Sequence, residues 1–134
     1  MSANTGRWHL DGSLSYTYAA IAGSGSSLAL DGNRPPQTPR WAGSATLGWR
    51  PSVGWNFAMT VRHIGAQFED DQEVQILPAA TTLSFFSQIP LFEKMSLIIR
   101  AENISDEKIV TRNSGGAIDL GAPRTFWLGL RYGI

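Results

Sequence analysis

A period of two that returns in six separate stretches constrains this 134-residue chain more than any other feature. In the last stretch Phe126, Leu128, Leu130, Tyr132 and Ile134 share one face, and Trp127, Gly129, Arg131 and Gly133 share the other. Successive side chains of an extended backbone point to opposite sides, so such a stretch predicts a strand with one apolar and one polar face. Residues 8–21 repeat the pattern, with Trp8, Leu10, Gly12, Leu14, Tyr16 and Tyr18 opposing His9, Asp11, Ser13, Ser15 and Thr17. Residues 40–50 set Trp41, Gly43, Ala45, Leu47 and Trp49 against Ala42, Ser44, Thr46, Gly48 and Arg50. Residues 55–67 follow, with Trp55, Phe57, Met59 and Val61 on the apolar side; Gly65 marks a bulge, because Phe68 falls out of phase. Residues 81–91 alternate less cleanly, since Phe86 stands on the polar face. Met95, Leu97, Ile99 and Ala101 open the fifth stretch, which the polar residues 103–112 extend.

The connections alternate in length. Residues 22–39 (AGSGSSLALDGNRPPQTP), the acidic stretch after Gln67 and residues 113–122 with Gly115-Gly116 are long and polar; Pro51-Ser52-Val53-Gly54 and Phe92-Glu93-Lys94 are tight turns. Long loops on one side and short turns on the other is the plan of an outer-membrane barrel. With the short turns set on the periplasmic side, Trp8, Trp49, Trp55 and Tyr132 stand at the inner ends of the apolar faces, and Tyr18, Trp41 and Phe126 at the outer ends. Those are the places of two aromatic girdles. Asp11, Arg62, Arg100, Glu102 and Arg131 gather on the opposite face, as a lumen allows and lipid does not. The fold expected is all-β, an antiparallel meander of about six long strands forming part of a large transmembrane β-barrel in the bacterial outer membrane. The competing reading, a small soluble barrel or sandwich acting as a structural or binding protein, explains the alternation but neither the girdles nor the loop asymmetry.

Composition removes other classes. Eleven basic and eleven acidic residues balance, which argues against nucleic acid as a partner. No apolar run approaches the roughly 20 residues a spanning helix needs, and the mean hydropathy of -0.11 conceals membrane strands because half of each faces water. Cysteine is absent, which excludes a disulfide frame and thiolate metal sites. The opening residues carry no apolar secretory core, so the chain is expected to be an internal piece of a longer exported protein or not to be exported.

Several ordered passages resemble the C-terminal barrel portion of TonB-dependent outer-membrane receptors. They are Pro36-Gln37-Thr38-Pro39-Arg40-Trp41, Val61-Arg62-His63-Ile64-Gly65-Ala66-Gln67-Phe68, Ala101-Glu102-Asn103-Ile104-Ser105-Asp106, and Pro123-Arg124-Thr125-Phe126 leading to Leu130-Arg131-Tyr132. His63 departs from the family's frequent tyrosine, and Ile134 from its usual terminal aromatic. The resemblance implies a barrel of about 22 strands around an N-terminal plug. Residues 1–134 would then be the C-terminal barrel segment, with plug and signal peptide absent. It further implies outer-membrane lipid, the rest of the barrel and the plug as partners, or further copies of this chain, together with the TonB system acting through the plug. Gly129, Tyr132 and Ile134 resemble the signal read by the barrel-assembly machinery. The implied role is active uptake of a scarce nutrient, such as a ferric siderophore, haem, cobalamin or a glycan.

Enzymatic chemistry finds little support. The two histidines are His9 and His63; His9 lies two residues from Asp11, a polar pair of the lumen face rather than a catalytic or metal site. His63 falls near the outer rim on the apolar side, in a girdle position. Glu69, Asp70, Asp71 and Glu73 lack the one-three-five spacing of a calcium loop and read as a solvated loop. Glycines and serines from Gly23 to Ser27 precede no evident helix, so they form no phosphate loop. No cofactor and no catalytic residue is expected. Glu102 is expected to pair with Arg100 or Arg131 across neighbouring strands.

Overall fold

The computed structural model describes residues 1–133. Its strands are β1 (Ser2–Thr5), β2 (Trp8–Tyr16), β3 (Trp41–Trp49), β4 (Asn56–Ile64), β5 (Gln67–Phe68), β6 (Ile76–Leu77), β7 (Ala80–Phe92), β8 (Met95–Glu102), β9 (Val110–Ser114), β10 (Ala117–Leu120) and β11 (Thr125–Tyr132). A short 3-10 segment, Gly25–Leu30, is the helical element among the described residues. One antiparallel sheet runs β1-β2-β3-β4-β7-β8-β11, and the hairpins β5-β6 and β9-β10 stand apart from it. The six expected strands are all present. The short β1 adds a seventh through the turn at Gly6-Arg7, where Gly6 takes φ +58, a region open to glycine without penalty.

Register shows why the alternation works as a sheet. Trp8 faces Trp49 and Trp49 faces Phe57; Leu10, Leu47, Met59, Phe85 and Ala101 lie across from one another in turn, as do Ser87, Ile99 and Leu128. Because side chains repeat every second residue, a slip of one place in any pair would carry a polar row into the apolar face. On the other face Asp11 meets Thr46, Thr46 meets Thr60, and Thr60 meets Ser84. Paired hydroxyls link this face, at 3.0 Å for Ser13 and Ser44 and 2.9 Å for Thr46 and Thr60.

The sheet has almost no interior. Leu77 and Ala101 are the buried apolar side chains among the described residues, whereas Leu10, Leu14, Leu128, Leu130 and Phe126 lie open along one face. In water that face would be a large apolar patch without a cover, so it requires an apolar solvent or partner. Among the described residues no helix is long and apolar enough to cross a membrane, which says nothing of crossing by strands.

Three strand ends differ from expectation. β2 stops at Tyr16 rather than near residue 21, although Thr17 still donates to the Arg40 carbonyl at 2.9 Å. β4 stops at Ile64, and Gly65 closes it by donating to the Trp41 carbonyl. β8 does not continue to residue 112: Asn103 adopts φ +48 and turns the chain out of the sheet. An asparagine tolerates that left-handed conformation better than most residues, which makes it an effective stop.

Candidate functional site

The strongest concentration of charge on the polar face lies between β4, β7 and β8. A groove of 410 Å³ opens there, lined among others by Arg62, Ser84, Phe86, Arg100 and Glu102. Strand pairing builds it: Arg62 sits across from Thr82 on β7, and Arg100 across from Phe86 four places further along the same strand. Arg100 Nη1 lies 3.9 Å from Glu102 Oε1, a loose pair between half-exposed side chains. Arg62 has no ion-pair partner among the described residues. Ile109 and Ala122, from the segment after β8, complete the wall.

The predicted polar set is therefore not one cluster. Arg62, Arg100 and Glu102 share the groove, Asp11 lies two strands away opposite Thr46, and Arg131 lies near the short-turn end opposite Ser96. The expected Glu102–Arg131 pair does not form. Thr125 is the residue of β11 that faces Glu102, six positions before Arg131 and so about 20 Å away along the strand. Its alternative, Arg100, is the partner found. His9 lays its ring over Gly48, in the space a β-carbon would fill, with no hydrogen bond to Asp11 among the described contacts.

The aromatic positions resolve into two groups. Trp8 and Trp49 stack with centroids 5.6 Å apart, Trp49 and Phe57 at 5.4 Å, and Trp55 leans on Phe57 at 5.9 Å. Trp55 itself belongs to the turn before β4, its amide bonded to the Ser52 carbonyl. Tyr132 stands at the same end, across from Met95. At the loop end Tyr16 packs on Trp41 at 4.6 Å, and Phe126 lies exposed near the start of β11. Tyr18 lies two residues beyond the end of β2, so Tyr16 takes the rung position beside Trp41. His63 Nδ1 and Thr81 Oγ1 meet at 2.8 Å on the apolar side of the same end. Gly129 faces Ile98 within β11, and Ile134 lies outside the described residues.

Sequence reasoning missed how closely the long loops engage one another. Arg34 donates from its backbone amide and Nε to Glu73 Oε1, at 2.9 and 3.4 Å, with its guanidinium 4.4 Å above the Phe68 ring. Asn33 Nδ2 donates to the Asp71 carbonyl and the Gln37 amide to the Phe68 carbonyl. Asp70 accepts from the amides of Val74 and Gln75, so the acidic run shapes its own loop; no metal-ligating cluster exists among the described residues. The loop of residues 65–79 also reaches the β9-β10 hairpin, where the Gly115 amide donates to Gln75 Oε1 and Asn113 Nδ2 to the Ile76 carbonyl. Leu77 is buried in this layer at 1% exposure. Asn103 anchors the third loop, donating to the Glu107 and Ala122 carbonyls and accepting from the Glu107 amide. The available signal was Gly115-Gly116, whose φ of +60 and +92 fit a two-residue hairpin turn.

Comparison with known proteins bears on this architecture. Residues 2–104 match the family model described as TonB dependent receptor-like, beta-barrel. No curated protein matches the chain. Among solved structures, the siderophore receptor PiuA from Acinetobacter baumannii superposes with a TM-score of 0.82 at 13% identity, over 96% of this chain and 20% of that one. The ferric citrate transporter FecA gives 0.79 at 20% identity, over 93% and 21% of the two chains. The copper transporter OprC gives 0.71 at 16%, over 96% and 21%. The chain thus spans about a fifth of the length of these structures, and the likeness is one of fold.

Proposed function

The chain belongs to the TonB-dependent receptor-like β-barrel family, and from that premise we propose that it forms the C-terminal wall segment of an outer-membrane receptor for active nutrient uptake. One observation carries the reading: a single, predominantly apolar face runs through the register of the sheet, with all three long loops at one end of the strands and the tight turns at the other. A sheet left open at β1 and β11 exposes unpaired backbone groups, which lipid does not tolerate. Closure then falls to the remainder of a receptor barrel or to further copies of this chain. In the first arrangement the apolar face meets outer-membrane lipid and the tryptophan rungs act as girdles. The polar face lines the lumen around a plug through which the TonB system supplies energy. Gly129, Tyr132 and Ile134 serve the assembly machinery.

The substrate is proposed only as a class, a scarce nutrient such as a ferric siderophore, haem, cobalamin or a glycan. The solved structures of similar fold include a siderophore receptor, a ferric citrate transporter and a copper transporter, so the fold does not select among cargoes. No covalent chemistry is assigned. An antibody against residues 113–122, used on outer-membrane fractions run with and without boiling, tests the reading. A large band whose mobility shifts on heating is expected. A band that stays with the soluble fraction at the size of this chain, 14.6 kDa, would overturn it.

A further inference from the structure

Two arginines stand together at the tight-turn end with no acid to meet. Arg7 lies in the turn before β2 and Arg50 just past β3, and the Arg50 amide donates to the Arg7 carbonyl at 2.7 Å, so the two are neighbours across the strand pair. Both are exposed, and neither has an ion-pair partner among the described residues. The turn between β7 and β8 sets Glu93 beside Lys94 and is neutral. Net positive charge in the tight turns thus falls beside β2 and β3.

Aromatic rings of that end fall on the same part of the sheet. Trp8, Trp49 and Phe57 face one another in register across β2, β3 and β4, and Trp55 leans on Phe57, which makes one shelf of four rings spaced 5.4 to 5.9 Å apart. The row continues as Ser87, Ile99 and Leu128 on β7, β8 and β11, where it holds no ring. Hydrogen bonds among the described residues leave the indole N–H groups of Trp8, Trp49 and Trp55 without an acceptor. A shelf confined to three neighbouring strands, with two unpaired guanidinium groups at its edge, is a local feature rather than a uniform belt.

Resting on the barrel reading, we propose that Arg7 and Arg50, with the shelf of Trp8, Trp49, Trp55 and Phe57, form a binding site for the headgroup of one anionic phospholipid of the periplasmic leaflet. Tryptophan settles at headgroup depth, where its N–H meets ester carbonyls and its ring meets the upper acyl chain. Arginine lays its stem along apolar surface and keeps its charge at the interface. Both arginines lie outside the strands, where alternation no longer dictates the side they take. A guanidinium takes two phosphate oxygens at once. Charge selects the lipid: a zwitterionic headgroup brings its own ammonium against the two guanidinium groups, and an anionic one does not.

Phosphatidylglycerol serves as the probe. The polypeptide that carries this segment is placed in nanodiscs of phosphatidylcholine with or without phosphatidylglycerol, and phenylglyoxal labelling of its arginines is followed by mass spectrometry. Phosphatidylglycerol should slow labelling at Arg7 and Arg50 by about fivefold, the factor for one basic residue at an anionic surface. Arg112, on the outer β9-β10 hairpin, should label at an unchanged rate. Free glycerol phosphate added to the phosphatidylcholine discs should protect neither arginine. Native mass spectrometry after release into detergent should find one phosphatidylglycerol fewer on the double variant Arg7→Gln, Arg50→Gln than on the unmodified protein, and no loss on Arg112→Gln. Labelling at Arg7 and Arg50 indifferent to phosphatidylglycerol, equal protection by free glycerol phosphate, equal slowing at Arg112, or an unchanged lipid count in the double variant would each overturn the proposal. Heat-shifted mobility is followed in the same samples; its loss in the unmodified protein would refute the barrel reading, whereas its retention without protection of the two arginines refutes only the site.

Discussion

Leu14→Arg tests the assignment of faces. Leu14 lies on the apolar face of β2 with 76% of its surface open, across from Gly43, while Ser13 beside it faces the polar side and touches Ser44 at 3.0 Å. The aromatic rungs mark the limits of the band: Trp8 with Trp49 at one end, Tyr16 with Trp41 at the other, eight residues apart along β2. At about 3.3 Å per residue and a tilt of about 40°, the rungs are roughly 20 Å apart along the membrane normal, inside the roughly 25 Å band of such barrels. Gly12, opposite Ala45, is midway, so Leu14 lies about 5 Å from the midplane. Arginine there should cost about 2 to 3 kcal/mol, a little less than the midplane maximum. Ser13→Arg keeps its charge in water and loses one exposed hydroxyl contact, about 0.5 kcal/mol or less. Urea titration in lipid vesicles, followed by tryptophan fluorescence, measures both. Equal costs, or a greater cost at Ser13, would refute the assignment of faces and the membrane with it.

Other expectations are local. Gly48→Ala places a methyl where the His9 ring lies and should destabilise by about 1 kcal/mol, with His9→Ala restoring much of the loss in the double variant; additive costs in urea titrations would contradict the packing. Ser87→Ala should stabilise by about 1 kcal/mol, because its hydroxyl is buried without a partner between Phe57 and Ile99; a measured loss would mean that the hydroxyl is satisfied. Exchanging the charges of Glu102 and Arg131 should show coupling below about 0.3 kcal/mol in a double-mutant cycle, given their separation. Arg34→Ala removes the Nε contact with Glu73 and the Phe68 contact while leaving the backbone amide bond to Glu73, and should speed proteolysis within residues 22–33 several-fold without moving the heat-shifted band. Unchanged cleavage would show that Arg34 does not hold the loop.

Strands were legible because their signal is local. Trp8 to Tyr16 and Trp41 to Trp49 alternate so regularly that one register satisfies both faces, and the structure adopts it. Strand ends were less legible, since Tyr18 and the residues after Glu102 continue the pattern in sequence although the backbone leaves the sheet. Nothing in the pattern announces the φ of +48 at Asn103. β1 escaped notice because four residues are too few to show a period. The polar set falls on one side of the strand alternation, but a face is two-dimensional. Alternation tells which side Glu102 and Arg131 occupy and not how far apart they are, which needs the offset between β8 and β11. Loop contacts such as Arg34 with Glu73 join residues 39 positions apart with no periodicity to betray them.

The loop of residues 65–79 touches both its neighbours, the first through Arg34 and Gln37 and the third through Gln75 and Ile76. Removing that middle piece would leave the outer two without the bonds that join them. The rim is therefore a keystone arch rather than three free flaps. A change at any of those joints is therefore expected to reach all three loops rather than one.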